Sequence, residues 1–181
     1  DVLRRLPAQI KCMSEMYGSS EAMINIPMKF GAPDGVLATF GFFAEFLPLD
    51  GGEPLAAWQV KDGEYYEIIL TTYSGLYRYN LHDIVRIVGF RGTTPEIEFC
   101  CKSIEVCHLN GREFYAYHVA DLIKKAEVMC DKQISFYQAY AEDGRLSLLL
   151  QEYGDDFDYQ AFNAALVQAA REMGVCLEMV Y

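Results

Sequence analysis

The sequence predicts an α+β chain in two parts, a β-rich first half followed by a small split βαβ module, and three observations carry that expectation. Strand-like runs separated by turn signals dominate up to about Phe99. Helical periodicity first appears after Thr93, Thr94 and Pro95. Beyond that point the elements read in the order β-α-β-β-α-β, which is an antiparallel sheet with both helices on one face. One unit is therefore expected over residues 1–99 and a second over 103–181, with a hinge within 99–105.

In the first half the strand runs are VLATF, FFAEFLPL, EYYEIILTTY and DIVRIVGF, rich in the β-branched and aromatic residues that suit a half-buried pleated surface. APDG, LDGGEP and VKDGE separate them, and Asp34-Gly35, Asp50-Gly51 and Asp62-Gly63 are tight-turn pairs. In the second half strands are expected over 105–109, 134–141, 146–152 and 175–181. The middle two are joined by the hairpin signal Glu142-Asp143-Gly144-Arg145. Tyr115, Val119, Leu122, Ile123 and Ala126 place one apolar stripe on a first helix. Phe162, Leu166, Ala169, Ala170 and Met173 do the same on a second, with Asp158 as N-cap and Gly174 as the stop.

Composition narrows the function classes. With 52% hydrophobic and 23% charged residues the chain is of globular type. A net charge of -11, from 15 basic and 26 acidic residues with no basic cluster, argues against nucleic-acid binding. The six cysteines form no C-x-x-C pair and the three histidines complete no zinc spacing, as expected of small buried hydrophobes in a reducing cytoplasm. No apolar run is long enough to cross a bilayer, and no membrane partner is expected. The chain opens at Asp1 rather than at a methionine, and we expect it to be a portion of a longer polypeptide.

Two stretches offer chemistry. MYGSSEA (16–22) combines a glycine that lets a backbone approach a ligand, two hydroxyls and a carboxylate able to hold a hydrated cation; it also reads as an ordinary polar turn. TTYSGLYRYNLHD (71–83) ends in Asp83 at the start of an apolar strand, where a carboxylate can accept both hydrogen bonds of a ribose diol or simply terminate a surface strand. Tyr73, Tyr77 and Tyr79 suit stacking on a base or packing within a sheet. His82 is a candidate base near neutral pH or an exposed side chain.

YGSSE, followed by TTYSGLYRY-x-x-x-D and then a small α+β module, resembles the adenylate-forming superfamily of acyl and aryl CoA ligases. The resemblance is greatest to the branch of auxin-responsive acyl acid amido synthetases and their bacterial relatives, and runs from Tyr17 through EFLPL to FCCKSIEVCHLNGREF. It implies that the first half is the β-rich end of a large adenylation domain and the second a small lid that rotates between half-reactions. It also implies ATP and Mg2+ as cofactors, activation of a small carboxylic acid as acyl adenylate, and transfer to an amine or amino acid. Carried over by residue, Tyr17 packs on adenine, Gly18 lets the backbone come close, Ser19 belongs to the same nucleotide-binding turn, Ser20 bonds phosphate or substrate carboxylate, and Asp83 grips the ribose. Glu21 holds magnesium, and Lys102, at the join of the two domains, reaches a phosphate; these two are the catalytic candidates.

The pattern departs from the family at Ala22 and His82, where glycines are usual, at Ser103 or Ile104, where an acid is usual, and at Ala116, where a glutamate is usual. Gly111 matches. The family's phosphate loop is not in the chain, nor is G-x-x-x-x-G-K-[ST] or G-x-G-x-x-G, so the chain alone is expected not to turn over. An acyl CoA ligase, and a noncatalytic binding module with decayed nucleotide motifs, are the alternatives.

Overall fold

The computed structural model describes residues 16–109, 112–142, 145–152 and 157–174. It is mostly β-sheet with two helices, and it divides into two compact units, Asp1–Ile104 and Glu105–Tyr181.

Among its described residues the first unit holds seven strands: β1 (Asn25–Pro27), β2 (Asp34–Leu37), β3 (Phe42–Pro48), β4 (Leu55–Ala56), β5 (Tyr65–Thr72), β6 (Tyr79–Arg91) and β7 (Thr94–Lys102). They form one sheet in the order β1-β2-β7-β6-β5-β3-β4, with every neighbouring pair antiparallel. Strand alternation decides which face is buried. On β3, Phe42, Ala44 and Phe46 are buried while Phe43 is exposed. Phe46, Ile68, Leu70, Val85, Ile87 and Ile97 meet in one core, and burying each such side chain contributes about 1.5–3 kcal/mol.

The ladder is broken where it matters. Ile69 pairs with Asn80 and Glu67 with Ile84, so a four-residue step on β6 opposes a two-residue step on β5. Across the other edge Ile84 pairs with Cys101 and Val85 with Phe99, which leaves Cys100 as an extra residue on β7. Bulges of this kind twist a strand and re-aim its side chains. Asp83 sits between the two.

Several expectations are corrected here. Asp34-Gly35 is not a turn; both residues lie in β2, and the preceding bend uses Gly31 at φ 70°. Gly35 is demanded by a close approach, since a Cβ there would stand 2.7 Å from the Ile26 carbonyl oxygen and 2.8 Å from Asn25 Cγ. Asp50-Gly51 and Asp62-Gly63 do turn, with φ of 90° and 84° at the glycines. The change of rhythm at Thr93 to Pro95 marks the β6–β7 hairpin rather than a boundary, and β7 carries Phe99 through Lys102 within the sheet.

The second unit contains β8 (Val106–Leu109), β9 (Arg112–Tyr115), α1 (Ala116–Cys130), β10 (Ile134–Glu142), β11 (Arg145–Glu152) and α2 (Tyr159–Glu172). The helix stripes fall as the periodicity implies. Val119, Leu122, Ile123 and Ala126 of α1 share a core with Phe162, Leu166, Ala169 and Ala170 of α2. Asp158 caps α2 by accepting from the Gln160 and Ala161 N–H groups, both at 3.0 Å. β9 was not anticipated. It pairs with β8, while β10 pairs with β11, and among the described residues no ladder joins the two hairpins. The strand expected over 175–181, Gly111 and the Asp143-Gly144 turn lie outside the described residues.

Candidate functional site

The turn from Tyr17 to Asn25 is closed by its own backbone. The Tyr17 carbonyl accepts from the N–H groups of Ile24 (2.9 Å) and Asn25 (3.1 Å), and Ser19 N–H donates to the Ala22 carbonyl at 2.9 Å. Ser19 Oγ in turn accepts from the Glu21 N–H at 3.2 Å. This local bonding lets a sequence of glycine and serines hold a fixed shape without becoming a strand. The turn lines an open cleft of about 760 Å³, whose walls also include Asp83, Phe99 and Lys102. All seven residues carried over from the resemblance, Tyr17, Gly18, Ser19, Ser20, Glu21, Asp83 and Lys102, border it.

Asp83 is the buried charge of the cleft, with 2% of its surface exposed. Its Oδ2 accepts the Tyr17 hydroxyl hydrogen at 2.7 Å. Its buried Oδ1 is met by the Lys102 ammonium as an ion pair. The lysine also donates to the Leu81 carbonyl at 3.3 Å. Lys102 is thus the last residue of β7, opposite Asp83 in the ladder, and not a linker lysine.

The Tyr17 phenol is held far above its ordinary pKa, first by burial and then by the hydrogen bond and negative charge of Asp83. It stays a neutral donor. Burial, followed by the charge of Glu98, pushes the Cys100 thiol up to about 12, so this cysteine is no thiolate nucleophile. Phe99 lies with its ring centroid 5.2 Å from that of Tyr17, which gives the cleft an aromatic wall beside its polar turn.

Glu21 is half-buried and, with Asp83, one of two carboxylates on the cleft. Among the described residues no cluster of three or more His, Cys, Asp or Glu side chains is gathered for a metal. One protein carboxylate suits Mg2+, which keeps several waters and takes phosphate oxygens, so this donor set fits a magnesium nucleotide better than a resident ion.

Other candidates fall elsewhere. Tyr73 and Tyr77 are 93% and 80% exposed on the β5–β6 connection, and neither they nor Tyr79 is among the cleft-lining residues. His82 does not line the cleft; its φ of 56° is left-handed, and its N–H donates to Asn80 Oδ1 at 2.8 Å. His108 is exposed, and His118 packs among Phe114, Tyr115 and Tyr117 in the second unit. Two residues escaped the sequence reading. Phe99 is one; it lies on the Ile97 face of β7 by alternation, yet 41% of its surface is exposed. Asn25 is the other, a polar residue between Ile24 and Ile26 that is 1% exposed.

Residues 35–102 match the GH3 family central domain. The chain is 36% identical over 121 residues to the jasmonoyl--L-amino acid synthetase JAR6 of Nicotiana attenuata, which covers 60% of this chain and 21% of the relative. It is 35% identical over 117 residues to the indole-3-acetic acid-amido synthetase GH3.10 of Arabidopsis thaliana, covering 54% of this chain and 20% of that protein. The solved GH3.15 acyl acid amido synthetase has the same fold over 87% of this chain and 30% of its own, with a TM-score of 0.68 at 19% identity. The chain spans about a fifth of the length of the curated relatives it matches. The match takes in the sheet from β2 to β7, with Asp83 and Lys102 inside it, so over these residues the chain is similar to the GH3 family central domain.

Proposed function

We propose that the chain supplies part of the nucleotide cleft of an ATP-dependent acyl acid amido synthetase. The observation that carries the reading is the convergence of the Asp83 carboxylate, the Lys102 ammonium and the Tyr17–Glu21 turn on one open cleft. A carboxylate there can accept from the hydroxyls of a ribose. Tyr17 and Phe99 offer the base an aromatic wall, and Ser20 offers a hydroxyl to phosphate. Lys102, half-exposed, is a point charge for the same phosphate.

In the first step a carboxylate oxygen of the acid attacks the α-phosphorus of ATP, and the bond to pyrophosphate breaks. In the second an amine nitrogen attacks the acyl carbon, AMP leaves with the bonding pair, and the nitrogen loses its proton. Both steps depend on positioned donors and cations more than on covalent help from the protein. Glu21 would hold magnesium, which would supply charge neutralisation at the phosphates. Residues 1–99 serve as the end of the adenylation domain, and 103–181 as a split βαβ lid that moves between the steps. The substrates are a small carboxylic acid and an amine or amino acid, and the compartment is the cytoplasm.

The test uses a form extended to the length of its relatives, given ATP, Mg2+ and panels of acids. Pyrophosphate release with acid alone, and hydroxamate formation on trapping, are the expected results. Silence across a wide panel, with no shift of melting temperature by ATP, overturns the reading. The 181-residue chain alone binds AMP weakly and turns nothing over, and nanomolar binding of ATP to it contradicts this assignment.

A further inference from the structure

We propose that Asn25 is the positioning residue of the cleft, a buried amide that locks the Tyr17–Glu21 turn onto the strand carrying Phe99 and Lys102. The inference deepens the nucleotide reading and rests on it for its ligand. Asn25 Oδ1 accepts from the Tyr17 N–H at 2.8 Å, and its Nδ2 donates to the Ile97 carbonyl at 3.2 Å. Ile97 is two residues from Phe99 in β7. β1, which contains Asn25, does not pair with β7; β2 lies between them.

The side chain therefore crosses β2 to reach β7, and the crossing point is Gly35. In the β2–β7 ladder Gly35 pairs with Ile97 itself, and a Cβ on it would stand 2.8 Å from Asn25 Cγ. The missing side chain at 35 makes the room through which the amide passes. Two residues that share no chemistry thus serve one link. Without it the turn keeps its internal bonds and the Tyr17 hydroxyl contact to Asp83, but loses the one hydrogen-bonded tie of Asn25 to the β7 backbone.

The experiment compares Asn25→Leu, Gly35→Ala and the double variant of the 181-residue chain, with Ile68→Val as a control that loosens the same core away from the cleft. AMP affinity is read by NMR titration well below each melting temperature. Each single variant is expected to weaken AMP about tenfold, because misplacing a binding group by an ångström has effects of this order or larger. The double variant is expected to lose less than the sum of the singles, since both cut one connection while the alanine also presses on the Ile26 carbonyl. Ile68→Val is expected to lose stability and keep its affinity. Additive losses, or an Asn25→Leu affinity equal to that of the control, overturn the proposal.

A second readout does not need the nucleotide. Tyrosinate absorbance on alkaline titration is expected to show one more ionising tyrosine in Asn25→Leu than in the parent, as Tyr17 drifts from Asp83. If the parent takes no AMP but this difference is seen, the nucleotide reading fails while the positioning role stands. If the titrations coincide, the positioning role is wrong whatever AMP does.

Discussion

Replacing His82 with glycine is expected to stabilise the first unit, and the size of the gain follows from one backbone angle. His82 sits in the bulge on β6 at φ 56°, one residue before Asp83. A left-handed conformation costs a residue with a Cβ about 1–2 kcal/mol. Glycine removes that cost but gives the unfolded chain more freedom, which returns about 0.4–1 kcal/mol. The ring itself contributes little, since its nearest polar contact, to Ser103 Oγ, is 3.5 Å long and exposed. The net gain centres on about 0.8 kcal/mol, or roughly 3–6 °C in melting temperature for a unit of about a hundred residues. Because the two units can unfold separately, the assay is urea unfolding combined with hydrogen exchange at the amides of β6. His82→Ala keeps a Cβ in the same conformation and is expected to gain nothing. A glycine variant no more stable than its parent, or an alanine variant that matches it, refutes the claim that residue 82 is strained.

Two further outcomes concern the second unit. Asp158→Ala removes the acceptor for two N–H groups at the start of α2 and is expected to lower the stability of that unit by about 1 kcal/mol, read by helix signal on chemical denaturation, with β6 exchange unchanged. His118 is held below its ordinary pKa by burial, against an opposing pull from Asp121, while its Nδ1 accepts from the Tyr115 N–H at 2.9 Å. The unfolded chain then takes up a proton before the folded one does as pH falls through about 6.5, so stability is greater above that pH and falls below it. Melting of the second unit between pH 7.5 and about 5.5 tests this, and His118→Gln is expected to flatten the slope.

The strand runs of the first unit were legible because β3, β5 and β6 alternate over enough residues for one buried face to show. The helices of the second were legible for the same reason at a different period. What stayed hidden was short or depended on a neighbour. β1 has three residues and β4 two, too few to alternate. Asp34-Gly35 carries turn chemistry, yet pairing with β1 on one side and β7 on the other places it in a strand, where the close approach of Ile26 and Asn25 requires the glycine. Lys102 reads as a linker residue because nothing in its local sequence tells that β7 pairs it with Asp83.

The site shows the same division, with a physical cause. Asp83 and the Tyr17–Glu21 turn were visible because their chemistry resides in residue types: an acid, two hydroxyls and a glycine close together. Their convergence was expected from the family resemblance and not from spacing, and in the fold it falls where the ladder is irregular. Two extra residues on β6 and one on β7 place a carboxylate that strict alternation would have left in register with its strand, and the resulting misfit falls on His82. Glycine at that position is what the family resemblance leads one to expect, and a left-handed angle is what makes glycine suitable. A departure from a motif and a strained dihedral are therefore one fact seen at two levels. The backbone that presents Asp83 to the cleft is retained here with a side chain ill suited to it, which means that the surrounding sheet, through the Asp83 contacts to Tyr17 and Lys102, holds the geometry against the local preference of the residue.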